Sequence, residues 1–371
     1  MADLTVEVRH TGLGKADAFH LDEYSGTDDQ KWDLAEAAQK AATARNMPPI
    51  VLPHRPITLT RPRSFYSGQK VIGLGSQGQK NPELAGGNYV GPEITLAGTI
   101  GKDGASLFNG TGGSIYDVHM SGFSVQGSQS SAKHQFADVP SGTLYACHFD
   151  SLAFNMMAGV FGNGANRKCL MTQVALTGSW TMNNAWDTQL NVGGSDCVFF
   201  MDSFANVGTS GSSAQTGDVN RYYFRFDSLE ATIGKAYLST LNGWRGLLIS
   251  GAGSSVDLHG GVYEGYKPTR QNGLLSGPGP GTQIRITGGA VSMHGTKVGQ
   301  GMDNPDPSEG GLIQVDGGEV HLSGVTVYGR NLATVPAVKV NGGRVSVAGL
   351  LRRQNESAYW TGRPLVSGAT V

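Results

Sequence analysis

One phrase of eight residues recurs three times near the end of this chain, at residues 288–295 (GGAVSMHG), 317–324 (GGEVHLSG) and 342–349 (GGRVSVAG). The paired glycines supply the positive φ angles that a tight corner needs. Between the glycines, two apolar side chains alternate with polar ones, which places them on the same face of a short strand. The copies lie roughly 25 to 29 residues apart, a period typical of stacked-coil repeats.

Weaker versions of this phrase extend the repeat towards the N-terminus. Each repeat holds one short strand that cannot bury its own apolar face, so the repeats must stack on one another. The spacing varies between about 22 and 35 residues, which indicates a solenoid with turns of variable length rather than a propeller. The positions that we align are Ser121, Asp150, Thr172, Asp202, Asp227, His259, His294, Ser323 and Ala348.

The composition limits the classes of function. The chain has 371 residues, 56 of them glycine, and a formal net charge of -1. A chain without a basic field is not expected to bind nucleic acid. No apolar run is long enough to insert into a membrane, and the N-terminus carries no signal peptide, so we expect synthesis in a host cytoplasm.

Residues 24–46 carry the one clear helical pattern. Residues 25–29 (SGTDD) offer N-cap residues, and the acids among them lie in the first turn, where they favour the helix dipole. Small apolar residues follow at helical spacing, and Pro48 lies where the pattern stops. An amphipathic helix ahead of the first strands would cover the apolar end of a stack.

The opening of the chain resembles a known family. The resemblance rests on residues 27–29 (TDD), the helix that follows, and the strands at residues 50–53 (IVLP) and 71–75 (VIGLG). Together they are similar to the N-terminal signature of the pectate-lyase-like right-handed parallel β-helix superfamily, and more narrowly to tailspikes and minor tail proteins of bacteriophages. The specific match covers residues 20–76, and the later repeats agree only in style.

The resemblance implies an all-β fold, a right-handed single-stranded parallel β-helix (solenoid) with an N-terminal capping helix. It also implies a homotrimer, in contact with other tail proteins of a virion, whose outer surface binds or cuts a bacterial surface polysaccharide. In that family the acids of the opening motif serve the cap, so Asp28 and Asp29 receive no chemical role. The catalytic motifs of the pectin hydrolases and the acidic calcium cluster of the lyases are missing, so we predict neither a cofactor nor a metal.

Four segments follow from these patterns. They are a lead-in or attachment segment (1–24), the capping helix with the first coils (25–112), the body of about nine coils (113–350) and a C-terminal cover or trimer-contact segment (351–371). Two turns of the body are long, at residues 206–220 and 301–310, and long loops on a solenoid often bind a partner.

Four acids form the best catalytic candidate. If Asp202 and Asp227 lie on adjacent coils, their carboxyl groups are about 5 Å apart, and Asp150 lies two coils from Asp202 at about 9 to 10 Å. These separations bracket those of retaining and inverting glycosidases, and Glu230 could assist. Alternatively, the Asp-Ser pairs are turn residues that bond nearby backbone N–H groups.

Histidines and cysteines also align. His259 and His294 occupy the same repeat position, with His321 close by, and a stacked pair could bind metal or shuttle protons. A satisfied ladder is the alternative, since no third ligand has suitable spacing. Cys147 and Cys169 are interpreted as a reduced, buried, stacked pair.

Aromatic residues outside the inward positions could pack against sugar rings. The candidates for glycan binding are Trp180, Trp186, Tyr222, Trp244, Tyr263 and Tyr266, with Glu264 as a hydrogen-bonding neighbour. Their alternative role is trimer contact or loop packing.

The favoured function is a component of a bacteriophage virion tail, a minor tail protein or tailspike, that contacts a glycan of the host cell envelope. The alternative is a polysaccharide depolymerase, a glycoside hydrolase or lyase, that acts through surface carboxylates. A second alternative is a purely structural protein of the tail tip. Because function depends on the site and not on the fold, the sequence leaves enzymatic activity open.

Overall fold

The computed structural model describes residues 17–42, 47–73, 91–101, 106–127, 134–163, 166–183, 187–203, 222–240, 245–265, 282–300, 312–329, 336–353 and 366–367. Within these ranges the chain forms a right-handed parallel β-helix with one α-helix near its N-terminal end, as predicted. The α-helix is α1 (Asp28–Ala41), preceded by a short 3₁₀ helix (Leu21–Glu23).

The strands of the first half are β1 (Phe19–His20), β2 (Ile50–Leu52), β3 (Pro56–Leu59), β4 (Arg63–Ser64), β5 (Lys70–Gly73), β6 (Glu93–Leu96), β7 (Phe108–Asn109), β8 (Ile115–Tyr116), β9 (His119–Ser121), β10 (Ser124–Gln126), β11 (Gln135–Asp138), β12 (Thr143–Tyr145), β13 (His148–Asp150), β14 (Ala153–Asn155), β15 (Gly159–Phe161) and β16 (Cys169–Thr172). The remaining strands are β17 (Ala175–Ser179), β18 (Thr181–Asn183), β19 (Leu190–Ser203), β20 (Tyr222–Gly234), β21 (Tyr237–Thr240), β22 (Arg245–Ser250), β23 (Ser255–His259), β24 (Val262–Gly265), β25 (Ile284–Ile286), β26 (Ala290–His294), β27 (Lys297–Gln300), β28 (Ile313–Val315), β29 (Glu319–Gly329), β30 (Val338–Val340), β31 (Arg344–Arg353) and β32 (Val366–Ser367).

Each coil, one full turn of the β-helix, contributes a strand to each of several parallel stacks. Stack 1 contains β4, β7, β11, β15, the first parts of β19 and β20, and then β22, β25, β28, β30 and β32. Stack 2 contains β8, β12, β16 and the middle of β19. Stack 3 contains β1, β2, β5, β9, β13, β17, the ends of β19 and β20, β23, β26, and the first parts of β29 and β31. The remaining strands form a fourth side of the coils, with β3, β6, β10, β14 and β18 as a separate sheet.

The core follows the alternation that the sequence shows. Along stack 3, the inward positions of five successive coils are Met120, Phe149, Leu176, Phe199 and Ile233, and none is more than 3% exposed. Burying side chains of this size stabilises the fold by roughly 1.5 to 3 kcal/mol each. The repeats therefore share one continuous core, as their individually short strands require.

The helix that caps the stack begins where the sequence predicts. The Thr27 side chain accepts a hydrogen bond from the Gln30 backbone N–H, and the Gln30 side chain accepts one from the Thr27 backbone N–H, which completes a capping box. Trp32 and Ala35 are fully buried beneath the helix. The helix is shorter than predicted, because it ends at Ala41.

The acids of the opening motif link this helix to the first coil through hydrogen bonds and an ion pair. The Asp28 carboxylate accepts a hydrogen bond of 2.8 Å from the Thr58 backbone N–H. The Asp29 carboxylate accepts one of 3.2 Å from the Thr60 backbone N–H and pairs with the buried guanidinium of Arg63. These contacts agree with the interpretation that the two acids serve the cap.

The three cysteines are free and buried, but they do not stack as predicted. Cys147 lies directly ahead of β13 and shares its repeat position with Cys197, two coils further along, whereas Cys169 lies opposite Val192. Burial raises the pKa of Cys147 and of Cys197 to about 11. Their thiols therefore stay protonated and unreactive near neutral pH.

The paired glycines of the repeated phrase are required by the close approach of successive coils. Gly289, Gly318 and Gly343 have φ angles of 82°, 85° and 81°. A Cβ atom on Gly318 would lie 2.3 Å from the carbonyl oxygen of Gly289, and one on Gly343 would lie 2.3 Å from that of Gly318. No side chain fits in this column without moving the backbone.

We expect Gly318→Ala to destabilise the fold more than Gly295→Ala does. Both residues have left-handed φ angles, 85° and 62°, so both variants carry a conformational cost of about 1 to 2 kcal/mol. A Cβ on Gly295 meets no atom within 4 Å, so only Gly318→Ala adds a steric clash. Thermal unfolding of the two variants measures the difference, and equal losses would contradict the close-approach explanation.

Candidate functional site

The predicted row of acids is not formed. Across stack 3, Asp150 lies opposite Thr177 on the next coil, Thr177 lies opposite Phe200, and Phe200 lies opposite Gly234 on the third coil. Asp227 lies seven residues ahead of Gly234. Three coil spacings amount to about 14 Å along the axis alone, beyond the distances of glycosidase carboxyl pairs. Asp202 follows Phe200 and does not neighbour Asp227 on the next coil. The expectation that Asp202 and Asp227 lie opposite one another on adjacent coils is therefore wrong, and a catalytic role for either residue stays a prediction.

The misalignment arises because two different corners use one local motif. Ser151 and Ser228, each following a candidate aspartate, both have a φ angle of 54°. Each packs against a glycine of the next coil, since a Cβ on Gly178 or Gly251 would lie 2.1 or 2.4 Å from the serine Oγ. The Ser151 hydroxyl also accepts a hydrogen bond from the Ser179 backbone N–H. The alternative interpretation, that the Asp-Ser pairs are turn residues, describes these corners.

The other acids are dispersed. Asp227 lies on stack 1, where its carboxylate is 2.7 Å from Lys168 Nζ and accepts a hydrogen bond of 3.3 Å from Ser250 Oγ. Glu230 is exposed and lies opposite Ser255 on the next coil. The side chain of Asp202 is outside the described residues.

The aromatic candidates that the structure describes are buried. Trp180, Tyr222 and Tyr263 are 0%, 3% and 2% exposed, so the expectation that their rings are available at the surface to pack against a sugar is wrong. Glu264 is also buried and accepts a hydrogen bond of 2.7 Å from the Tyr328 hydroxyl. The remaining candidates lie outside the described residues: Trp186, Trp244 and Tyr266.

The predicted histidine ladder is present. His259 and His294 lie opposite one another, their rings stacked with centroids 5.0 Å apart, and His321 lies 6.0 Å from His294. The ring of His321 also hydrogen-bonds the Ser346 hydroxyl at 2.8 Å. Within the described ranges, no group of three or more His, Cys, Asp or Glu side chains is arranged to hold a metal ion.

A second histidine pair lies on the outer surface of stack 3, in the coils of β9 and β13. His119 and His148 are directly opposite each other, with ring centroids 5.0 Å apart and planes at 88°. His148 Nε2 lies 2.7 Å from the Thr177 hydroxyl, which donates a hydrogen bond of 2.6 Å to Asp150 Oδ1. We name these four residues the His–Thr–Asp cluster. It brings one predicted acid, Asp150, together with three residues that the sequence did not select.

The hydrogen bonds define the protonation of this cluster. A hydroxyl group has one proton, and Thr177 donates it to Asp150, so the Nε2–H of His148 must donate to Thr177. Nδ1 of His148 and the ring of His119 make no hydrogen bond to any described residue. One imidazole is therefore held in a fixed orientation, and both retain a nitrogen for a further partner.

His119 should titrate below its ordinary value of 6.5. Burial lowers the pKa of His119, and the neighbouring His148 lowers it further, against the raising effect of Asp150. In the unfolded state His119 binds a proton at its ordinary pKa of about 6.5, and in the folded state it does so only at a lower pH. The contribution of neutral His119 to the free energy of unfolding is therefore fully present above about pH 6.5 and is lost as the pH falls through the folded-state pKa. Histidine NMR titration, assigned with His119→Gln, measures this, and a midpoint at or above 6.5 would contradict the environment described.

Beside this cluster lies an exposed tyrosine pair, Tyr116 and Tyr145. They align on adjacent coils in β8 and β12, are 50% and 37% exposed, and have ring centroids 5.5 Å apart. On the next coil Tyr145 lies opposite Thr172, and the exposed Leu170 lies two residues ahead of that position. Each tyrosine is three residues ahead of a histidine of the cluster, so their Cα atoms are within about 10 Å.

The sequence contains a signal for this site. Residues 115–122 (IYDVHMSG) and 144–151 (LYACHFDS) share tyrosine and histidine at matching positions. At the corner between each tyrosine and its histidine, Asp117 and Ala146 adopt left-handed φ angles of 56° and 52°. Reading this shared phrase as two stacked coils would have placed the tyrosines and histidines in neighbouring pairs.

The solved structures that resemble this chain are distant from it. The A-module of the mannuronan C-5 epimerase AlgE4 from Azotobacter vinelandii is 11% identical, with a TM-score of 0.49 over 94% of this chain and 100% of that one. DFA-IIIase from Arthrobacter chlorophenolicus A6 is 11% identical, with a TM-score of 0.39 over 90% and 95%. The catalytic unit of a GH87 alpha-1,3-glucanase from Streptomyces thermodiastaticus is 12% identical, with a TM-score of 0.34 over 92% and 69%. Likenesses at this level carry no argument about activity.

In sequence, no family model and no curated protein matches the chain. Among the helices that the structure describes, none is long and apolar enough to cross a membrane.

Proposed function

We propose that this chain binds a polysaccharide on the outer surface of the coils of β8, β9, β12 and β13, and cleaves it at the His–Thr–Asp cluster. The observation that carries the proposal is the position of the tyrosine pair and the two histidines of the cluster on the same two coils. Sugar rings pack their apolar faces against aromatic rings while their hydroxyl groups stay in water. Rings repeated along the axis suit a polymer of repeated sugars.

The cluster supplies proton transfer. Breaking a glycosidic bond needs a proton for the leaving oxygen and a base, acting on water in hydrolysis or on a carbon-bound proton in elimination. His119 is a suitable base, because its lowered pKa keeps it neutral near neutral pH. His148, when protonated, can donate from Nδ1 while Nε2–H stays bonded to Thr177.

This proposal corresponds to the depolymerase alternative, with imidazoles in place of the predicted pair of carboxylates. The assignments to a bacteriophage tail, a homotrimer and a virion stay predictions from the sequence resemblance. The purely structural alternative also stays a prediction. Light scattering tests the trimer directly, because a single chain per particle would contradict it.

The experiment is a depolymerisation assay with a panel of bacterial and plant polysaccharides. Release of reducing ends reports cleavage, and ultraviolet absorbance of unsaturated ends separates elimination from hydrolysis. We expect Tyr116→Ala/Tyr145→Ala to raise KM at least tenfold with kcat little changed, since two stacking contacts are worth about 0.5 to 1.5 kcal/mol each beyond their buried area. The matched Tyr116→Phe/Tyr145→Phe variant keeps the rings and should retain most of the affinity.

Two results would contradict the proposal. One is a wild-type protein that neither binds nor cleaves any glycan of the panel, which would favour the structural alternative. The other is cleavage that the double alanine variant leaves unchanged.

A further inference from the structure

Two exposed apolar side chains lie on the outer surface of stack 3, next to the His–Thr–Asp cluster along the helix axis. They are Val198 and Phe200, 40% and 43% exposed, and we name them the apolar patch. Phe200 lies opposite Thr177 of the preceding coil, and Val198 lies opposite Ala175, which follows His148 in its column. The patch therefore begins one coil beyond Thr177, the residue whose hydroxyl group joins the imidazole and the carboxylate of the cluster.

The ring of Phe200 is supported by a glycine. Phe200 lies opposite Gly234 on the following coil, and a Cβ atom on Gly234 would lie 2.6 Å from Cε1 and 2.7 Å from Cδ1 of the ring. Gly234 is consequently buried, although its position on the strand faces outward. Part of the ring covers the backbone of the next coil, and the rest is exposed to solvent. A large aromatic side chain held at the surface in this way offers an apolar face to a ligand.

The apolar patch and the tyrosine pair lie on different sides of the cluster. Tyr145 precedes His148 by three residues along its coil, whereas Phe200 follows Asp150 by two coils along the axis. The five residues from Tyr145 to Asp150 span at most about 18 Å and two coil spacings add about 9.6 Å along the axis, so the Cα atoms of Tyr145 and Phe200 are at most about 20 Å apart. A glycan segment of a few sugars can contact both aromatic positions.

The columns that contain the patch carry no charge on these coils. In the coils of β17, β19 and β20, the outward residues of the two columns are Ala175, Thr177, Val198, Phe200, Thr232 and Gly234. The charged residues that flank these columns are Asp196, Glu230 and Lys235, two acids and one base, so their net charge is negative. An acidic sugar would lose water here beside an excess of carboxylates, which is unfavourable. A sugar that contacts Phe200 is therefore expected to be neutral.

We propose that the apolar patch is a second sugar-binding subsite, in which a neutral sugar packs against the ring of Phe200 while the same glycan contacts the tyrosine pair. The glycan then crosses the His–Thr–Asp cluster, and the bond to be cleaved lies between the two subsites. This inference rests on the proposed function, which places cleavage at the cluster. It adds the residue and the kind of sugar on the far side of the cleaved bond. Affinity should increase with the length of the glycan until both subsites are filled.

The test is the binding of the wild-type protein to an array of neutral and acidic bacterial and plant oligosaccharides of graded length, followed by titration of the bound series in solution. Phe200→Ala should weaken binding of the longest oligosaccharide by about three- to tenfold, the effect of one aromatic contact. Binding of the shortest oligosaccharide that binds should not change, because that one fills only the subsite of the tyrosine pair. Phe200→Tyr keeps the ring and should bind like the wild type.

Controls separate the sugar contact from a structural role of the ring. Phe200→Leu still covers Gly234 with an apolar side chain but has no flat ring, so it should lose as much affinity as Phe200→Ala does. Val347→Ala removes an exposed apolar side chain on β31 and should leave binding unchanged. Thermal melting checks that each variant is folded.

Four outcomes would overturn the second subsite. One is equal binding of the longest oligosaccharide by the wild type and Phe200→Ala; if Tyr116→Ala/Tyr145→Ala still weakens binding, the proposed function survives this failure. Another is a preference for oligosaccharides with an acid on every sugar. A smaller particle mass of Phe200→Ala in light scattering, with glycan binding unchanged, would assign the patch to contact between copies of the chain. A wild-type protein that binds no oligosaccharide of the array would contradict both proposals.

Discussion

His148→Ala should reduce the kcat of polysaccharide cleavage by about 100- to 10,000-fold, the range that a positioned acid–base group contributes. The variant removes the imidazole whose Nε2–H is bonded to Thr177, while the tyrosine pair that would hold the glycan stays in place. KM should therefore change little, which distinguishes this variant from the tyrosine double variant. Steady-state kinetics on the polysaccharide that the panel identifies measures both constants.

Substitutions at Thr177 test whether its hydrogen bonds with His148 and Asp150 are needed for the rate of cleavage. Thr177→Val keeps the shape but removes the hydroxyl that connects His148 to Asp150, so it should lose a large part of the rate. Thr177→Ser restores the hydroxyl and should recover most of it. His259→Ala removes an exposed histidine of the other ladder and should have no effect on kcat. Full activity in His148→Ala would show that the cluster is not catalytic.

Arg167→Met should lower the free energy of unfolding by about 3 to 5 kcal/mol, because it leaves a buried charge without its partner. The Asp138 side chain is 2% exposed and pairs with the Arg167 guanidinium. The other carboxylate oxygen of Asp138 has no hydrogen-bond partner among the described residues. Asp138 therefore depends on Arg167 to keep its charge compensated. Equilibrium unfolding in urea measures the loss.

A double-mutant cycle tests this explanation. Arg167→Met/Asp138→Asn removes the charge together with its partner, so most of the stability lost in Arg167→Met should return. Arg344, 86% exposed at its side chain and paired with Glu319, provides the control. Arg344→Met should cost less than about 1 kcal/mol, as surface ion pairs do. The Asp138→Asn single variant completes the cycle, and a loss in the double variant equal to the sum of the two single losses would show that the side chains are not coupled.

The position of Asp150 shows how far local sequence identifies a site. Phe149-Asp150-Ser151 and Phe226-Asp227-Ser228 read alike because both place a left-handed serine at a corner of the coil. One motif closes a corner of stack 3 and the other a corner of stack 1. A corner motif specifies a turn of the backbone, but it does not specify which corner of the coil it forms. Alignment by motif therefore placed the two aspartates in one row.

The buried aromatic residues show the same limit. Trp180 donates its indole N–H to the Thr177 carbonyl oxygen inside the coil, and Tyr263 lies in the core. The aromatic residues selected from the sequence did not include Tyr116 and Tyr145, which form the exposed pair. Whether a ring faces inward depends on where the corners fall, because each corner resets the alternation of inward and outward side chains.

By itself, the sequence determined the repeat, the stacked core and the helical cap, because glycine conformation, strand alternation and helix capping act over a few neighbouring residues. The stacking of His259 and His294 follows too, since their repeats are of one kind and differ only in loop length. Only the tertiary structure decided which coils align where the phrase changes. It brought His148, Thr177 and Asp150 together from two neighbouring coils. The physical reason is that stacking brings together residues that are a whole coil apart in the sequence. Because the loops vary in length, a local sequence pattern does not show which residues of successive coils lie opposite one another.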